Sequence, residues 1–338
     1  MKTFTLAIVG IVSLSSVFAS DAFLKESGLV SSTEEFLNYI ARFGKSYATK
    51  AEFQKRAKLF LKTKMEIMQA ASSNSVPTFR LGFNQFSDWT EEEFQAILGN
   101  KPSEEEHDVY HEHLKILEDA ILPASKDWRD DGVVNPVKDQ GRCGSCWAFS
   151  TAAGVESHFA IQFGKLYSLS EQQLVDCSTA YDNAGCNGGL ATQGYDYVKS
   201  YGLEQEADYP YLAADGTCHR DKSKIVAYVE DFHTVQTLSP SQLKAALATQ
   251  GPASVSVDAS GVFKNYQSGI LNAGCGTSLN HAILAVGYGV ENGQEYYIVR
   301  NSWGPSWGEN GYIRLAIVEG QGTCGVQIRP SYPITKRA

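Results

Sequence analysis

Along the chain, apolar positions change their spacing several times. Leu6 to Phe18 is a mostly apolar run behind Lys2, with small residues at Val17 and Ala19. It is too short to span a bilayer, so residues 1–19 read as a secretory signal peptide cleaved after Ala19. In Thr33–Phe43 and Glu52–Ala70 apolar residues recur every three or four positions, which predicts two amphipathic helices. Residues 101–120, KPSEEEHDVYHEHLKILEDA, are polar and acidic and hold His107, His111 and His113; they read as a solvated, accessible linker. Beyond Leu122, glycine and aromatic residues become frequent. Cys146–Ile161 is apolar almost all round, so it predicts a helix buried on most sides. Ser170 to Gln173 (SEQQ) reads as a capping box opening a short helix through Cys177. The last third reads as strands at Ala253–Asp258, His281–Tyr288, Glu295–Arg300 and Tyr312–Ala316, separated by glycine-rich turns. Helices followed by strands predict an α+β chain built in two differently textured halves.

Size and charge narrow the class. The chain has 338 residues, enough for two or three folding units, and 43% hydrophobic content suits a buried core. Net charge is −9 and no long Lys/Arg run occurs, which argues against a nucleic-acid partner. No later segment is long and apolar enough to cross a membrane, and no N-x-S/T acceptor occurs. Export places the protein where disulfides persist. All seven cysteines fall at or after position 143, and an odd count leaves one thiol over.

Two of those cysteines sit in QGRCGSCWAF, residues 140–149. A zinc site would need a second ligand pair, and no other C-x-x-C exists. A redox pair would need a βαβ setting, which is missing. A hydrolytic thiol needs a depressed pKa, a base that can also serve as acid, and donors for an oxyanion. Cys146 stands where the apolar helix begins, and a helix N-terminus favours thiolate. Among the histidines after the linker, His158 lies within that helix, His219 is next to Cys218, and His233 is in a polar stretch. His281 heads the apolar strand NHAILAVGYG, a rigid mount for a catalytic imidazole. Asn301 ends YYIVRNSWG and could hold that imidazole in one tautomer.

QGRCGSCWAF, NHAILAVGYG and NSWGPSWGENGY, taken together, resemble the papain-like cysteine proteases. His281 lies 135 residues and Asn301 155 residues beyond Cys146, near the spacing of that family. The resemblance runs from about Leu122 to Pro333. It implies Cys146 as nucleophile, His281 as general base and acid, and Asn301 as the orienting amide. Trp303 would shield the His281–Asn301 bond, while the Gln140 amide and the Cys146 N–H would hold the oxyanion. The implied fold has a helical left lobe and a right lobe built on an antiparallel β-barrel, with the cleft between them. Six cysteines allow fifteen pairings; the resemblance implies Cys143–Cys186, Cys177–Cys218 and Cys275–Cys324. It also implies a cleft strip at Gly188 and Gly189, an S2 pocket from Leu190, Ala191, Ser256, Leu279 and Arg329, and Trp307 as both packing residue and S1′ surface. Arg329 departs from the small or acidic residue common at the pocket base.

The region before Leu122 carries a second resemblance. Gly82, Asn84, Phe86 and Asp88 form the G-x-N-x-F-x-D pattern of cathepsin L-like pro-segments. The longer helical motif of that group is partly present at Glu52, Arg56, Phe60 and Ile67, with Thr63 and Ala71 where it has asparagines. The expected organisation is a signal peptide at 1–19, a mainly helical inhibitory pro-segment at 20–121 that crosses the cleft backwards, and a mature peptidase at 122–338. Expected partners are protein or peptide substrates, the protein's own pro-segment and cystatin-type inhibitors. A monomer without cofactor or metal is expected, in a lysosome-like acidic compartment or outside the cell.

Overall fold

A computed structural model describes residues 30–73, 78–101 and 122–338; the signal segment and the linker histidines lie outside the described residues. Both amphipathic helices are present, as α1 (Val30–Arg42) and α2 (Lys50–Ser73). They close on each other through aromatic rings. Phe36, Tyr39 and Phe60 are buried, and Tyr47, Phe53 and Phe83 pack against them. A short strand β1 (Phe79–Leu81) and a one-turn helix α3 (Glu91–Gln95) follow. Thr90 and Glu93 form a reciprocal capping box at the head of α3.

The predicted buried helix is α4 (Cys146–Phe163), and Gly164 ends it in a left-handed conformation with its N–H on the Ala160 carbonyl. Ser170 caps α5 (Glu171–Cys177) through the Gln173 N–H, but the box is only half made. The Gln173 side chain turns inward instead, donating to the Tyr197 hydroxyl and the Gly202 carbonyl and accepting from the Glu204 N–H. The Ser170 N–H that a full box would use is buried and already donates to the Glu204 carbonyl, so the Gln173 amide is left to satisfy other core groups. Then come α6 (Ala191–Tyr201) and α7 (Pro240–Thr249).

The remaining strands are β2 (Lys126–Asp127), β3 (Leu203–Glu204), β4 (Ile225–Thr234), β5 (Ala253–Val257), β6 (Tyr266–Leu271), β7 (His281–Glu291), β8 (Gln294–Arg300), β9 (Tyr312–Ala316) and β10 (Ser331–Arg337). Their order is β1-β6-β9-β8-β7-β5-β10-β4-β3, with β2 beside β7. The sheet is antiparallel except at β6–β9. It is an open path rather than the closed barrel expected. The two end strands β1 and β3 are only three and two residues long, and each pairs with one neighbour.

β7 explains how two lobes share one strand. Its first nine residues are all buried, although the sheet is antiparallel. Ile283 and Ala285 face the core beneath α7, whereas Ala282, Leu284 and Val286 belong to clusters shared with α4. Both faces are covered, so the alternation of a half-exposed strand disappears. The Ser150 hydroxyl on α4 donates to the Ile283 carbonyl and pins helix to strand.

Behind this contact lies a buried ion cluster. Lys138 reaches Glu171 at 2.8 Å, Glu206 at 2.8 Å and Glu156 at 3.4 Å, and Arg300 lies 3.9 Å from Glu156. Burial raises the Glu171 carboxyl to about 7, against the pull of Lys138. Removing one partner of such a group strands the others without compensation. Lys138→Met is expected to lower unfolding stability by about 3–5 kcal/mol in urea. The loss should be larger at pH 8 than at pH 5. Without its cation the Glu171 carboxyl rises further above its unfolded value. The folded state then keeps a proton that the unfolded state releases, so stability falls as pH rises through that window. An equal loss at both pH values would count against this account.

Candidate active site

Each candidate side chain sits at the end of a regular element. Cys146 is the first residue of α4, His281 the first of β7, and Asn301 follows β8. Element ends suit this purpose: the backbone is held on one side while the side chain faces the seam between lobes. Cys146 is the free cysteine among the described residues, and it is fully buried. The other six pair as Cys143–Cys186, Cys177–Cys218 and Cys275–Cys324.

His281 Nε2 lies 2.8 Å from Asn301 Oδ1. An amide oxygen there fixes Nε2 as the N–H and leaves Nδ1 as the free nitrogen. Trp303 lies over the imidazole, ring centres 4.6 Å apart and 25° from parallel, so water is kept from this bond. Trp307 is fully buried, packs on Phe263 and Trp303, and donates to the Lys264 carbonyl. Ser302 is a residue the sequence reading passed over. Its N–H donates to Asn301 Oδ1 and its hydroxyl to Gln140 Oε1, at 2.8 and 2.6 Å. It thereby links the orienting amide to the candidate oxyanion donor. It lies inside the motif NSWG and was legible there as a hydroxyl between two site residues.

Gln140 Nε2 donates to the carbonyls of Cys143 and Ile97, at 2.9 and 2.8 Å. Ile97 belongs to the segment after α3, which runs directly across the cleft. The Gly99 carbonyl accepts from the Gly189 N–H at 2.8 Å, and Lys101 N–H donates back to the Gly189 carbonyl at 3.4 Å. The Asn100–Gly189 bridge is parallel. Gly188 abuts the Gly99 carbonyl. Asn100 is buried, its N–H on the Asn280 carbonyl and its Oδ1 3.3 Å from the Ser256 hydroxyl. Leu190 and Ala191 are buried beside this strip. Leu279 is half-buried near Gly325, and Arg329 is half-buried in the approach to β10.

The pro-segment motif anchors the crossing. Asn84 donates to the Lys264 carbonyl, and Gly82 N–H to the Asn265 carbonyl. Phe86 and Phe94 pack edge-on to Trp303. Asp88 accepts from the Tyr39 and Tyr47 hydroxyls and pairs with Lys45 at 3.0 Å. Arg56 bridges Glu52 and Glu93 and donates to the Asp88 carbonyl. Thr63, in place of an asparagine of the helical motif, is buried.

Burial sets the charge state of the covered site. Burial pushes the Cys146 thiol up to about 11, opposed only in part by the backbone N–H groups of Ala282, Gly99 and Trp147. Burial pushes His281 down to about 4, with Asn301 acting the other way. Thiol and imidazole are therefore both neutral at pH 7 in this covered form.

Two family models match the chain. The model described as papain family cysteine protease matches residues 122–334, and that described as cathepsin propeptide inhibitor domain (I29) matches residues 36–94. The chain belongs to the papain family of cysteine proteases and is made as a proenzyme bearing that inhibitor domain. It is 42% identical over 304 residues to the oryzain gamma chain of Oryza sativa subsp. japonica, covering 88% of this chain and 83% of that one. Digestive procathepsin L 3 of the Tenebrio molitor larval midgut superposes with a TM-score of 0.81 at 36% identity, covering 89% of this chain and 98% of that one. Bromelain from Ananas comosus in complex with the E64 inhibitor superposes with a TM-score of 0.59 at 44% identity, covering 63% and 99%.

A Cβ at Gly99 would stand 1.6 Å from the Gly144 carbonyl oxygen, so only glycine permits this approach. Gly99→Ala is expected to loosen the segment and speed iodoacetamide labelling of Cys146 in the intact precursor at pH 7.5 by about tenfold or more, the equivalent of 1.4 kcal/mol. An unchanged rate would show that this contact does not hold the cleft shut.

Proposed function

We propose that Cys146 is the nucleophile and His281 the general base and acid of an endopeptidase that works through a thioester. Asn301 orients the imidazole, Trp303 shields it, and the Gln140 amide with the Cys146 N–H receives the oxyanion. The observation that carries this reading is Gln140: its amide already donates to a carbonyl oxygen, that of Ile97, in the cleft beside Cys146. An acyl carbonyl of a substrate would take that place. The thiolate–imidazolium pair that such chemistry needs forms only when the segment has left. In the covered form burial opposes both charges. The thiolate then attacks the scissile carbonyl, His281 protonates the leaving amine, and it activates water for deacylation.

The crossing segment supports inhibition by reversal. It runs from Ile97 at Gln140 to Lys101 at Gly189, and pairs parallel with the strip that Gly188 and Gly189 would offer substrate. A substrate with its acyl side on that strip would run the other way, so the segment fills the donors without presenting a productive bond. Removal near Leu122 would divide the chain into a signal at 1–19, a pro-segment at 20–121 and a mature enzyme at 122–338. Expected surroundings are the secretory pathway and a lysosome-like or extracellular destination, with peptide substrates, cystatin-type inhibitors and a monomeric state. The S2 pocket assigned to Leu190, Ala191, Ser256, Leu279 and Arg329 takes apolar P2 groups. With Arg329 facing inward it takes acidic ones and refuses basic ones, and substrates with Leu, Glu or Arg at P2 decide between these.

Processing is expected to be favoured at acidic pH, where protonation of pro-segment carboxylates and of the linker histidines would loosen the pro-segment. Arg56 holds Glu93 down to about 2. The stability from that bridge is fully present above the ordinary carboxylate range, falls progressively below it as the unfolded state takes up the proton, and is gone once pH has passed about 2. Glu93 is thus still ionised at pH 4.5, which leaves any response there to other pro-segment carboxylates and the linker histidines. Faster processing at pH 4.5 than at pH 7.5 is expected, and equal rates would remove the acid trigger.

Cys146→Ser is expected to accumulate as an inactive precursor that an E64-type epoxide does not label. The wild type should become labelled once processed. Peptidase activity in the variant would sink the assignment of the nucleophile.

A further inference from the structure

The loop from Gln140 to Cys146 carries both proposed oxyanion donors, one at each end. A side chain from a distant loop joins those ends. The Tyr211 hydroxyl donates to the Gln140 carbonyl at 2.8 Å and lies 2.6 Å from the Ser145 hydroxyl. With the phenol proton on Gln140, the Ser145 hydroxyl must be the donor to Tyr211 Oη. Ser145 immediately precedes Cys146. It caps α4 by position but makes no side-chain bond to the helix N–H groups, so its hydroxyl is free for Tyr211. Ser145 is fully buried. Burial also keeps the phenol well above its ordinary pKa, so it stays a neutral donor at any working pH.

Tyr211 is itself held. Its ring packs edge-on to Phe149, one turn into α4, at 4.9 Å. The next residue, Leu212, donates its N–H to Gln172 Oε1, and Gln172 Nε2 donates to the Ala214 carbonyl. The Gly216 N–H lies on Asp176, and the Cys177–Cys218 disulfide ties the loop to α5. The brace therefore rests on the helical lobe, not on a mobile tip.

We propose that Tyr211 is a positioning residue for the oxyanion site, clamping the Gln140 end of this loop to the head of α4 so that the Gln140 amide and the Cys146 N–H stay aimed at one point. This rests on the oxyanion role of Gln140 proposed above. A donor pair of this kind acts by being in place before charge develops. A small loss of aim therefore costs rate rather than binding. The brace does not touch His281 or Asn301.

The test uses Tyr211→Phe in the full chain after processing; the ring and its packing on Phe149 are kept. With a peptide amide substrate, kcat is expected to fall about tenfold and KM to change less than twofold. A peptide aldehyde adds the thiol across its carbonyl: the C–S bond forms, the C=O π bond breaks, and the thiol proton ends on the new oxygen. That oxygen sits between the two donors, so aldehyde inhibition should weaken about tenfold. The pH profile of iodoacetamide alkylation reads the thiolate–imidazolium pair and should not move. Ser145→Ala removes the other leg of the brace, serves where Tyr211→Phe fails to fold, and should give the same pattern. In a Gln140→Ala background, Tyr211→Phe should cost nothing further. Alkylation falling in parallel with kcat, or an unchanged kcat, would overturn the proposal. If Gln140→Ala is slow while Tyr211→Phe is not, only this inference fails. If Gln140→Ala keeps full activity, the oxyanion reading fails with it.

Discussion

Lys138 is the point on which the site's geometry depends. It lies two residues before Gln140 and reaches Glu156, ten residues into the helix that Cys146 begins. Arg300, next to Asn301, approaches the same Glu156 from β8. One buried carboxylate therefore gathers the chain leading to Gln140, helix α4 and the strand that ends at Asn301. The Leu169 N–H completes its partners at 2.8 Å. Such a cluster is not a strong source of stability, because desolvation consumes much of the Coulomb gain. Its value is directional. Apolar groups would pack in several registers, whereas a charge in low dielectric tolerates few. The seam between the lobes is fixed where the chemistry needs it fixed.

Above that seam, the precursor uses the site's own bonding capacity against it. The Gln140 amide donates to the Ile97 carbonyl and the Gly189 N–H to the Gly99 carbonyl. Phe86 and Phe94 close over Trp303. The same rings join the hydrophobic core of the sheet lobe, so the inhibitor is an extension of that core. Strand β1 extends the sheet past β6 in the same way.

The site was legible because its members lie in short contiguous motifs at element ends, and because one thiol of seven had no partner to take. Helix α4 was legible for a related reason: a helix apolar all round has few alternatives. The rest was hidden by tertiary contacts. Helix α6 contains Gly194, which reads as a breaker, yet a Cβ there would lie 2.3 Å from Thr151 Oγ1; the glycine serves a close helix crossing. Strand β10 contains Pro333, and β4 holds Glu230 and Asp231 in its middle, so neither shows a clean alternation. Helix α7 was announced by Ser239 and Pro240, a cap and a first-turn proline, and the Thr90–Glu93 box by its spacing; both were passed over. The Lys138 cluster joins residues tens of positions apart, and no local pattern encodes it. The closed barrel was a family expectation, and the observed strand order ends in two short strands instead.

The latent state follows from dielectric before it follows from obstruction. An ion pair needs the thiol to be a stronger acid than the imidazolium. Under the segment the thiol stands at about 11 and the imidazole at about 4, the opposite order, so the proton stays on sulfur. The helix N-terminus at Cys146 and the Asn301 oxygen on His281 both favour the charged forms, but burial outweighs each of them. Expelling Ile97–Lys101 would return water to both groups and would also withdraw the Gly99 N–H that favours the thiolate. On the roles proposed for Cys146 and His281, removal of the pro-segment would both open the cleft and let the charged pair form.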